Sequence, residues 1–444
     1  MAPAQAIRLR RVESGAISMS AKKLRLAALA AAGLTLAAVL AAFTFTRPES
    51  NIEQRIERLY STADPDFARA MGVLLGPAIV GGNRIEELLN GERIFPAMLG
   101  AIRGARRSIS FESYIYWSGT IGQQFAEALA ERARAGVKVH LLLDWVGSNK
   151  MDPAQLDAMQ KAGVEVRKFH RPHWYHLSRL NNRTHRKVLV VDGAVGFTGG
   201  VGIADQWNGD AQDPDHWRDT HFRAEGPVVA QMQAVFLDNW MKATGAVLHG
   251  ADYFPALKPA GKGAAQMFSS SPSGGSENMQ LMVLLAITAA ERSIHLSTAY
   301  FVPDELTLRT LADAAKRGVR VQIIVPGKHT DAESVRRAGR ARWGPLLEAG
   351  AEIYEYSPTM YHCKVMIVDA LLVSVGSTNF DNRSFKLNDE ANLNIYDADF
   401  AARQIAIFRD DLARSRRISL TEWQERPRAE KLWEHAASLL GAQL

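Results

Sequence analysis

Apolar and polar positions along the chain follow one order that occurs twice, about 180 residues apart. The first copy runs AIRGARRSISFESYIYW (101–117), then the helix-patterned QQFAEALAERARAG, then the continuous apolar run VKVHLLLD (137–144). The second runs AITAAERSIHLSTAYFV (286–302), LTLRTLADAAKRG and VRVQIIVP (319–326). Gly136 and Gly318 stand where a helix C-terminus belongs. A further helix ends at Gly163 in one copy and Gly350 in the other, followed by the strands VEVRKF and AEIYEY. Strands alternating with helices of this length predict βαβ units around a mainly parallel or mixed sheet. Each copy closes with two short strands around a turn, HRKVLVVDGAVGFTGG (185–200) and HCKVMIVDALLVSVGS (362–377). A repeat of this length implies two similar α/β/α sandwich domains related by pseudo-twofold symmetry. The expected bounds are 96–258 and 277–444, the second with a helical tail, joined by a Gly-Ser-Pro-rich linker at 259–276. Residues 47–95 read as a helical lead-in.

A different pattern precedes the repeat. Residues 26–46, LAALAAAGLTLAAVLAAFTFT, carry no charge and follow a basic segment, 1–25. At about 1.5 Å per residue such a helix spans a hydrocarbon core of about 30 Å. The same stretch also fits a cleaved secretory signal, with Val39-Leu40-Ala41 as an admissible cleavage site. Its length exceeds the usual h-region of about 7 to 15 residues and favours an uncleaved transmembrane anchor. The cationic side stays cytoplasmic. The remainder is thereby expected outside the cytoplasm, in the periplasm of a Gram-negative cell.

Charge reinforces that orientation. The formal net charge is +6. Residues 1–46 hold six cations (Arg8, Arg10, Arg11, Lys22, Lys23, Arg25) against Glu13, so the body is nearly neutral. A near-neutral body argues against nucleic acid as the partner, because neutralising several backbone phosphates takes a basic groove. The 47% hydrophobic and 23% charged composition is that of a globular chain. Cys363 is the only cysteine, which excludes a disulfide scaffold and an all-cysteine metal site.

The closing strands share His-x-Lys-x4-Asp, as His185, Lys187, Asp192 and as His362, Lys364, Asp369. Small-residue turns follow at Gly199-Gly200 and Gly376-Ser377. In extended backbone residues i and i+2 share a face, so each histidine projects with its lysine. The aspartates fall at an odd offset, which makes them turn-forming or supporting groups. Two imidazoles and two ammonium groups gathered by a pseudo-twofold suit a phosphodiester. One neutral histidine attacks phosphorus, and the other, protonated, gives its proton to the leaving alkoxide. The lysines supply positive charge to the non-bridging oxygens. This arrangement calls for no metal and no cofactor. His170, His173 and His176 lack a cysteine or carboxylate at ligand spacing and read as a loop at the site rim. Cys363, one residue past His362, faces away from the site as a packed thiol. Tyr361, Trp207 and Trp217 stand as candidates to line an acyl-chain or glycerol channel, with packing as the alternative.

This duplicated motif, with Gly376-Ser377-x-Asn379 and Asp381-Arg383-Ser384 after the second copy, resembles the phospholipase D superfamily. NGERIFPAMLGAI (90–102), LSRLNNRTHRK (177–187), WRDTHFRAEGP (217–227), TAYFVPDE (298–305) and SFKLNDEANL (384–393) are similar to its bacterial cardiolipin synthase branch. The resemblance covers about residues 85–415. It implies an active site between the two halves and metal-free catalysis through a phosphohistidine. His185 and His362 would be nucleophile and general acid, with His185 the nucleophile by analogy. Lys187, Lys364 and Asn379 would hold the phosphate. Glu390, 28 residues past His362, matches the spacing of a histidine-orienting carboxylate, and Asp219 is its counterpart in the first half. One position departs from the pattern: Gly202 stands where the first motif carries asparagine, so one phosphate contact is missing or replaced and acceptor preference is affected.

The function expected from this resemblance is a phosphatidyltransferase that acts on phospholipids at the membrane. Its candidate substrates are phosphatidylglycerol, phosphatidylethanolamine, or cardiolipin in reverse. Because a covalent intermediate also partitions to water, a phospholipase D hydrolase is the alternative. A nuclease and an inactive lipid-binding scaffold are the remaining readings, the last disfavoured by two intact motifs.

Overall fold

The computed structural model describes residues 22, 23, 25, 26, 28–35, 52, 54–170, 181–272 and 277–438. It divides into one unit at 1–46 and another at 47–444. In the first unit the described residues between 22 and 35 are helical. Among the described residues no helix is long and apolar enough to cross a membrane, and residues 36–46 of the expected anchor lie outside them.

The second unit is built on one mixed sheet of sixteen strands. The first-half strands are β1 (Val80–Leu89), β2 (Ser108–Ser113), β3 (Lys138–Asp144), β4 (Glu165–Phe169), β5 (Arg183–Thr184), β6 (Val188–Val191), β7 (Val195–Gly199) and β8 (Thr220–Glu225). The second half supplies β9 (Gly263–Ser270), β10 (Ser293–Thr298), β11 (Phe301–Val302), β12 (Arg320–Pro326), β13 (Glu352–Tyr356), β14 (Lys364–Val368), β15 (Leu372–Gly376), β16 (Phe380–Asp381), β17 (Asn388–Tyr396) and β18 (Ser415–Ile418). The order within the sheet is β18-β13-β12-β10-β14-β15-β17-β9-β1-β8-β7-β6-β2-β3-β4, with β5 beside β17, while β11 and β16 pair in a separate two-stranded sheet. Read outward from the β9–β1 junction, the two sides repeat one another, and the repeat in the sequence becomes a repeat in strand order.

Four expectations change. The sheet is mainly antiparallel: only β2-β3-β4, β10-β12-β13 and the short β5 beside β17 run parallel within it, because the closing hairpins and the strands beyond them reverse direction. The 47–95 lead-in is not all helix, since Pro65–Leu75 is followed by β1. Its Glu86-Glu87-Leu88-Leu89 reads locally as a helical turn, but ladders to β8 and β9 on either side hold it extended. The 259–276 linker contains β9, a central strand hydrogen-bonded to β1 and β17. Its polar composition is absorbed internally, Gln266 donating to the carbonyls of Met71 and Pro77. The tail carries β18 between its helices, antiparallel to β13.

Alternation within the strands places the core. Leu189 and Val191 of β6 join a cluster under the helices Asn90–Gly104 and Thr120–Arg134, whereas Val188 and Val190 point to the other face. There they meet Val365 and Ile367 of β14 and side chains of the helices Val228–Thr244 and Ala398–Ala413. One face thus carries a separate cluster for each half, and the other carries a cluster common to both.

Candidate active site

The two motif aspartates close the hairpins. Asp192 and Asp369 both have φ of 53°, and Gly193 after the first has φ of 62°, the left-handed backbone that a tight two-residue hairpin requires. Asp192 Oδ1 accepts the backbone N–H groups of Arg107 and Ser108 at 2.7 and 3.0 Å. Asp369 repeats this with Arg292 and Ser293 at 2.7 and 3.0 Å, and with Glu291 at 2.9 Å. Both carboxylates therefore tie a hairpin to the strand beside it, and both lie at the opposite strand end from the histidines.

The histidines stand just ahead of β6 and β14, and each is reached from the other half of the molecule. The His185 N–H donates to the carbonyl of Asp389, and the His362 N–H to that of Arg218, at 2.9 and 2.8 Å. In each case the next residue is the carboxylate that meets the ring. His185 Nδ1 lies 3.0 and 3.1 Å from the two oxygens of Glu390, and His362 Nδ1 lies 2.7 Å from Asp219 Oδ2. The spacing of 28 residues joined Glu390 to His362; in space Glu390 serves His185 and Asp219 serves His362. With Nδ1 engaged by a carboxylate, Nε2 is the nitrogen left for chemistry at His185, and at His362 it lies 3.3 Å from the Lys364 ammonium.

Lys187 and Lys364 project with their histidines, and each ammonium also donates to the carbonyl of its own histidine, at 2.9 and 2.7 Å. Burial, and then the Lys364 charge, pushes the Lys187 ammonium down to about 7. Burial likewise lowers Lys364, against the pull of Asp219. Burial outweighs Glu390 and brings the His185 imidazole down to about 4, with Lys187 and Lys364 acting in the same direction. His362 is lowered too, by burial and then Lys364. Burial alone raises a carboxyl, yet Glu390 is held below its ordinary range by His185, and Asp219 by His362. At neutral pH the resting site thus pairs two neutral imidazoles with two carboxylates. An arriving phosphate anion favours the charged lysines and a protonated imidazole.

The small residues of the turns make these approaches possible. A Cβ at Gly376 would stand 2.3 Å from the Ala391 carbonyl, and one at Gly199 would stand 2.7 Å from His221 Cα. Ser377 Oγ donates to Glu390, and Gly200 faces Asp219. Asn379 is buried, and its Oδ1 has no hydrogen-bond partner among the described residues. The ring of Tyr114 meets that of His185 edge-on at 5.1 Å.

Some readings shift at this level. Tyr361 and Trp207 are fully buried and hydrogen-bonded, Tyr361 to Asp411 and Ser297 and Trp207 to Asp219, so they pack and do not line a channel. Cys363 is a buried thiol that burial pushes up to about 12. His170 pairs with Asp389 at 2.7 Å, while His173 and His176 lie outside the described residues. Neither motif nor spacing pointed to the buried Arg218–Asp411 pair, joined by two bonds of 3.0 and 2.9 Å, which fixes the segment carrying Asp219. Nor did they point to His221, a buried imidazole near Asp219 and Lys187 that burial pushes down to about 3.

A duplicated histidine and lysine site, with a carboxylate behind each imidazole, belongs to a phosphodiester-transfer enzyme. Comparison with known proteins narrows this. A family model described as "Cardiolipin synthase, PLD-like domain" matches residues 98–237 and 283–412. A cardiolipin synthase of Geobacillus kaustophilus (strain HTA426) is 38% identical over 356 residues, covering 80% of this chain and 71% of the relative. Cardiolipin synthase 1 of Bacillus anthracis is 34% identical over 363 residues, with the same coverage of 80% and 71%. The crystal structure of phosphatidylserine synthase from Haemophilus influenzae Rd KW20 superposes with a TM-score of 0.66 at 16% identity, over 85% of this chain and 100% of that one, and so shares the fold. The chain belongs to the cardiolipin synthase family of phospholipase D-like proteins, and it is a phosphatidyltransferase of that superfamily.

Proposed function

We propose that this chain makes cardiolipin, passing a phosphatidyl group from a donor phospholipid through His185 to phosphatidylglycerol; with glycerol as the acceptor the same transfer yields phosphatidylglycerol. The observation that carries the reading is the pair of imidazoles, each held at Nδ1 by a carboxylate of the opposite half, beside two buried lysines. The names of its relatives supply the product.

In the first step His185 Nε2 attacks phosphorus and forms a P–N bond. The P–O bond to the leaving alcohol breaks, and that oxygen takes the Nε2 proton of His362. In the second step the acceptor hydroxyl returns a proton to His362 Nε2, its oxygen attacks phosphorus, and the P–N bond breaks. Glu390 and Asp219 stabilise each imidazolium as it forms, and Lys187, Lys364 and Asn379 bind the non-bridging oxygens. The site residues fall in two phospholipase D-like halves, 96–258 and 277–444, neither of which holds a complete histidine–carboxylate pair. Residues 26–46 anchor the chain with its N-terminus in the cytoplasm, which delivers the site to bilayer substrates. A reporter fused at Leu444 that is active only in the cytoplasm overturns this orientation.

The test is to incubate the purified full chain with phosphatidylglycerol, with and without phosphatidylethanolamine, and to identify products by mass spectrometry. Cardiolipin with glycerol or ethanolamine is the expected result. Phosphatidic acid alone assigns a hydrolase, and unchanged lipid refutes catalysis on these substrates.

A further inference from the structure

The half-sites differ where their motifs differ. Gly200 and Gly202 in the first half correspond to Ser377 and Asn379 in the second. The Ser377 hydroxyl donates to Glu390, which orients His185. Gly200 has no hydroxyl, and no room for one, since a Cβ there would stand 2.2 Å from Asp219 Oδ1. Asp219 receives a side-chain donor from elsewhere. Trp207 Nε1 lies 2.9 Å from Oδ2, the same oxygen that meets His362 Nδ1. The Thr220 N–H takes Oδ1 at 2.8 Å. The Trp207 ring is 1% exposed and meets the His362 imidazole edge-on, with centroids 5.2 Å apart and planes at 80°. Gly202 leaves space for it: a Cβ there would stand 3.2 Å from Trp207 Cζ3 and 2.9 Å from Ile115 Cβ. An asparagine at 202 and the indole at 207 therefore compete for one volume.

We propose that Trp207 is a positioning residue, its indole N–H replacing in the first half the hydroxyl that Ser377 supplies in the second. Gly200 and Gly202 are small because they admit the carboxylate and the indole. Trp207 acts on the chemistry through Asp219 and His362, so the proposal rests on the reading of His362 as proton donor. It also accounts for the departure from the family pattern at 202: the missing asparagine is exchanged for a fixed acid.

Removing the indole N–H leaves more negative charge on Asp219 Oδ2 for the imidazolium and loosens the carboxylate. The charged groups facing His362 are Asp219, Lys364 and Asp331; Trp207→Phe removes none of these charges, and of the three only Asp219 loses a hydrogen bond. With the full chain labelled with 15N-histidine, the His362 titration is expected to rise by about half a pH unit in Trp207→Phe. Its kcat is expected to fall about tenfold, with KM for the lipid within about twofold. Trp207→benzothienylalanine keeps the ring shape without the N–H and should behave in the same way, whereas Trp207→4-fluorotryptophan keeps the donor and should match the native enzyme. Should Trp207→Phe fail to fold, the benzothienylalanine variant decides. Native kcat and a native His362 titration in a folded variant lacking the N–H refute the proposal. A shifted titration in a chain whose native form turns over no phospholipid upholds the positioning role and refutes the assigned reaction.

Discussion

On the proposed mechanism the crossed pairing of carboxylates and histidines separates the two chemical steps, and Asp219→Asn is the perturbation that reads it. The carboxylate accepts His362 Nδ1 at 2.7 Å, Trp207 Nε1 at 2.9 Å and the Thr220 N–H at 2.8 Å. An amide of equal size retains one acceptor oxygen and loses the charge. A hydrogen bond to a charged group contributes about 1.5–3 kcal/mol, or about 10- to 150-fold in rate if it acts only in the transition state. An amide that donates to Nδ1 also forces the wrong tautomer, which elsewhere has cost about 10⁴ in kcat. A loss of about 10²–10⁴ is therefore expected with a phospholipid donor, whose alkoxide leaves only when protonated. With a phosphatidyl p-nitrophenol donor the leaving group needs no proton, and formation of the covalent intermediate in Asp219→Asn should approach the native rate. Acceptor activation remains impaired, so the phosphatidyl group should accumulate on the peptide carrying His185, visible by rapid quench and mass spectrometry. Glu390→Gln weakens the nucleophile itself and should be slow with both donors. If Glu390→Gln is rescued by the activated donor and Asp219→Asn is not, or if the label accumulates on His362, the assigned roles are wrong.

Other outcomes follow from the same geometry. Lys187, pushed down to about 7, must be protonated to hold phosphate, so kcat/KM should fall as pH rises through about 7; the kcat limb should lie higher, because bound phosphate raises this group, and coincident limbs in the two pH profiles refute the assignment. Asp192→Asn and Asp369→Asn each disturb a carboxylate holding adjacent backbone donors, and each should lower stability by about 1–3 kcal/mol in chemical denaturation while leaving kcat per folded molecule within about twofold. A hundredfold loss of kcat at native stability would instead place them in the chemistry. Gly200→Ala puts a methyl 2.2 Å from Asp219 Oδ1 and should lower kcat by at least tenfold with the phospholipid donor, but much less with the p-nitrophenol donor; equal losses on both contradict the role of Asp219.

The placement of the candidate site residues was legible because they obey local rules. Histidine and lysine two apart in extended backbone share a side, and an aspartate before a glycine marks a tight turn, so His185, Lys187 and Asp192 could be placed without a partner strand. The histidine–lysine spacing served the second copy as well, although Ala370 follows its aspartate, and glycine marked the helix ends at Gly136 and Gly318, which have φ of 88° and 94°. What escaped was set by distant ladders. β9 is GAAQMFSS, a sequence with little strand character, and it is a strand because β1 and β17 flank it and because Gln266 finds carbonyls 189 and 195 residues away. β1 is extended for the same reason, against a local sequence that reads as helix.

Counting along the chain could not have paired Glu390 with His185, because the pairing follows from where strands meet and not from how far apart residues lie. β5 enters beside β17 in parallel register, Asn388 opposite Arg183 and Asp389 opposite Thr184, which brings the next residue of each strand, Glu390 and His185, together. The bridge of Arg218 to Tyr361 does the same for Asp219 and His362. A pseudo-twofold that crosses its halves in this way makes both imidazoles depend on the whole sheet, so neither half can fold into a working site alone. It also begins with two equivalent histidines, whereas a nucleophile and an acid must differ. The difference enters through the few positions where the copies diverge: Glu390 with Ser377 and Asn388 behind His185, and Asp219 with Trp207 behind His362. Divergence between the repeats falls at these supporting residues and not at the histidines and lysines themselves, and the proposed division of tasks between the two imidazoles rests on it.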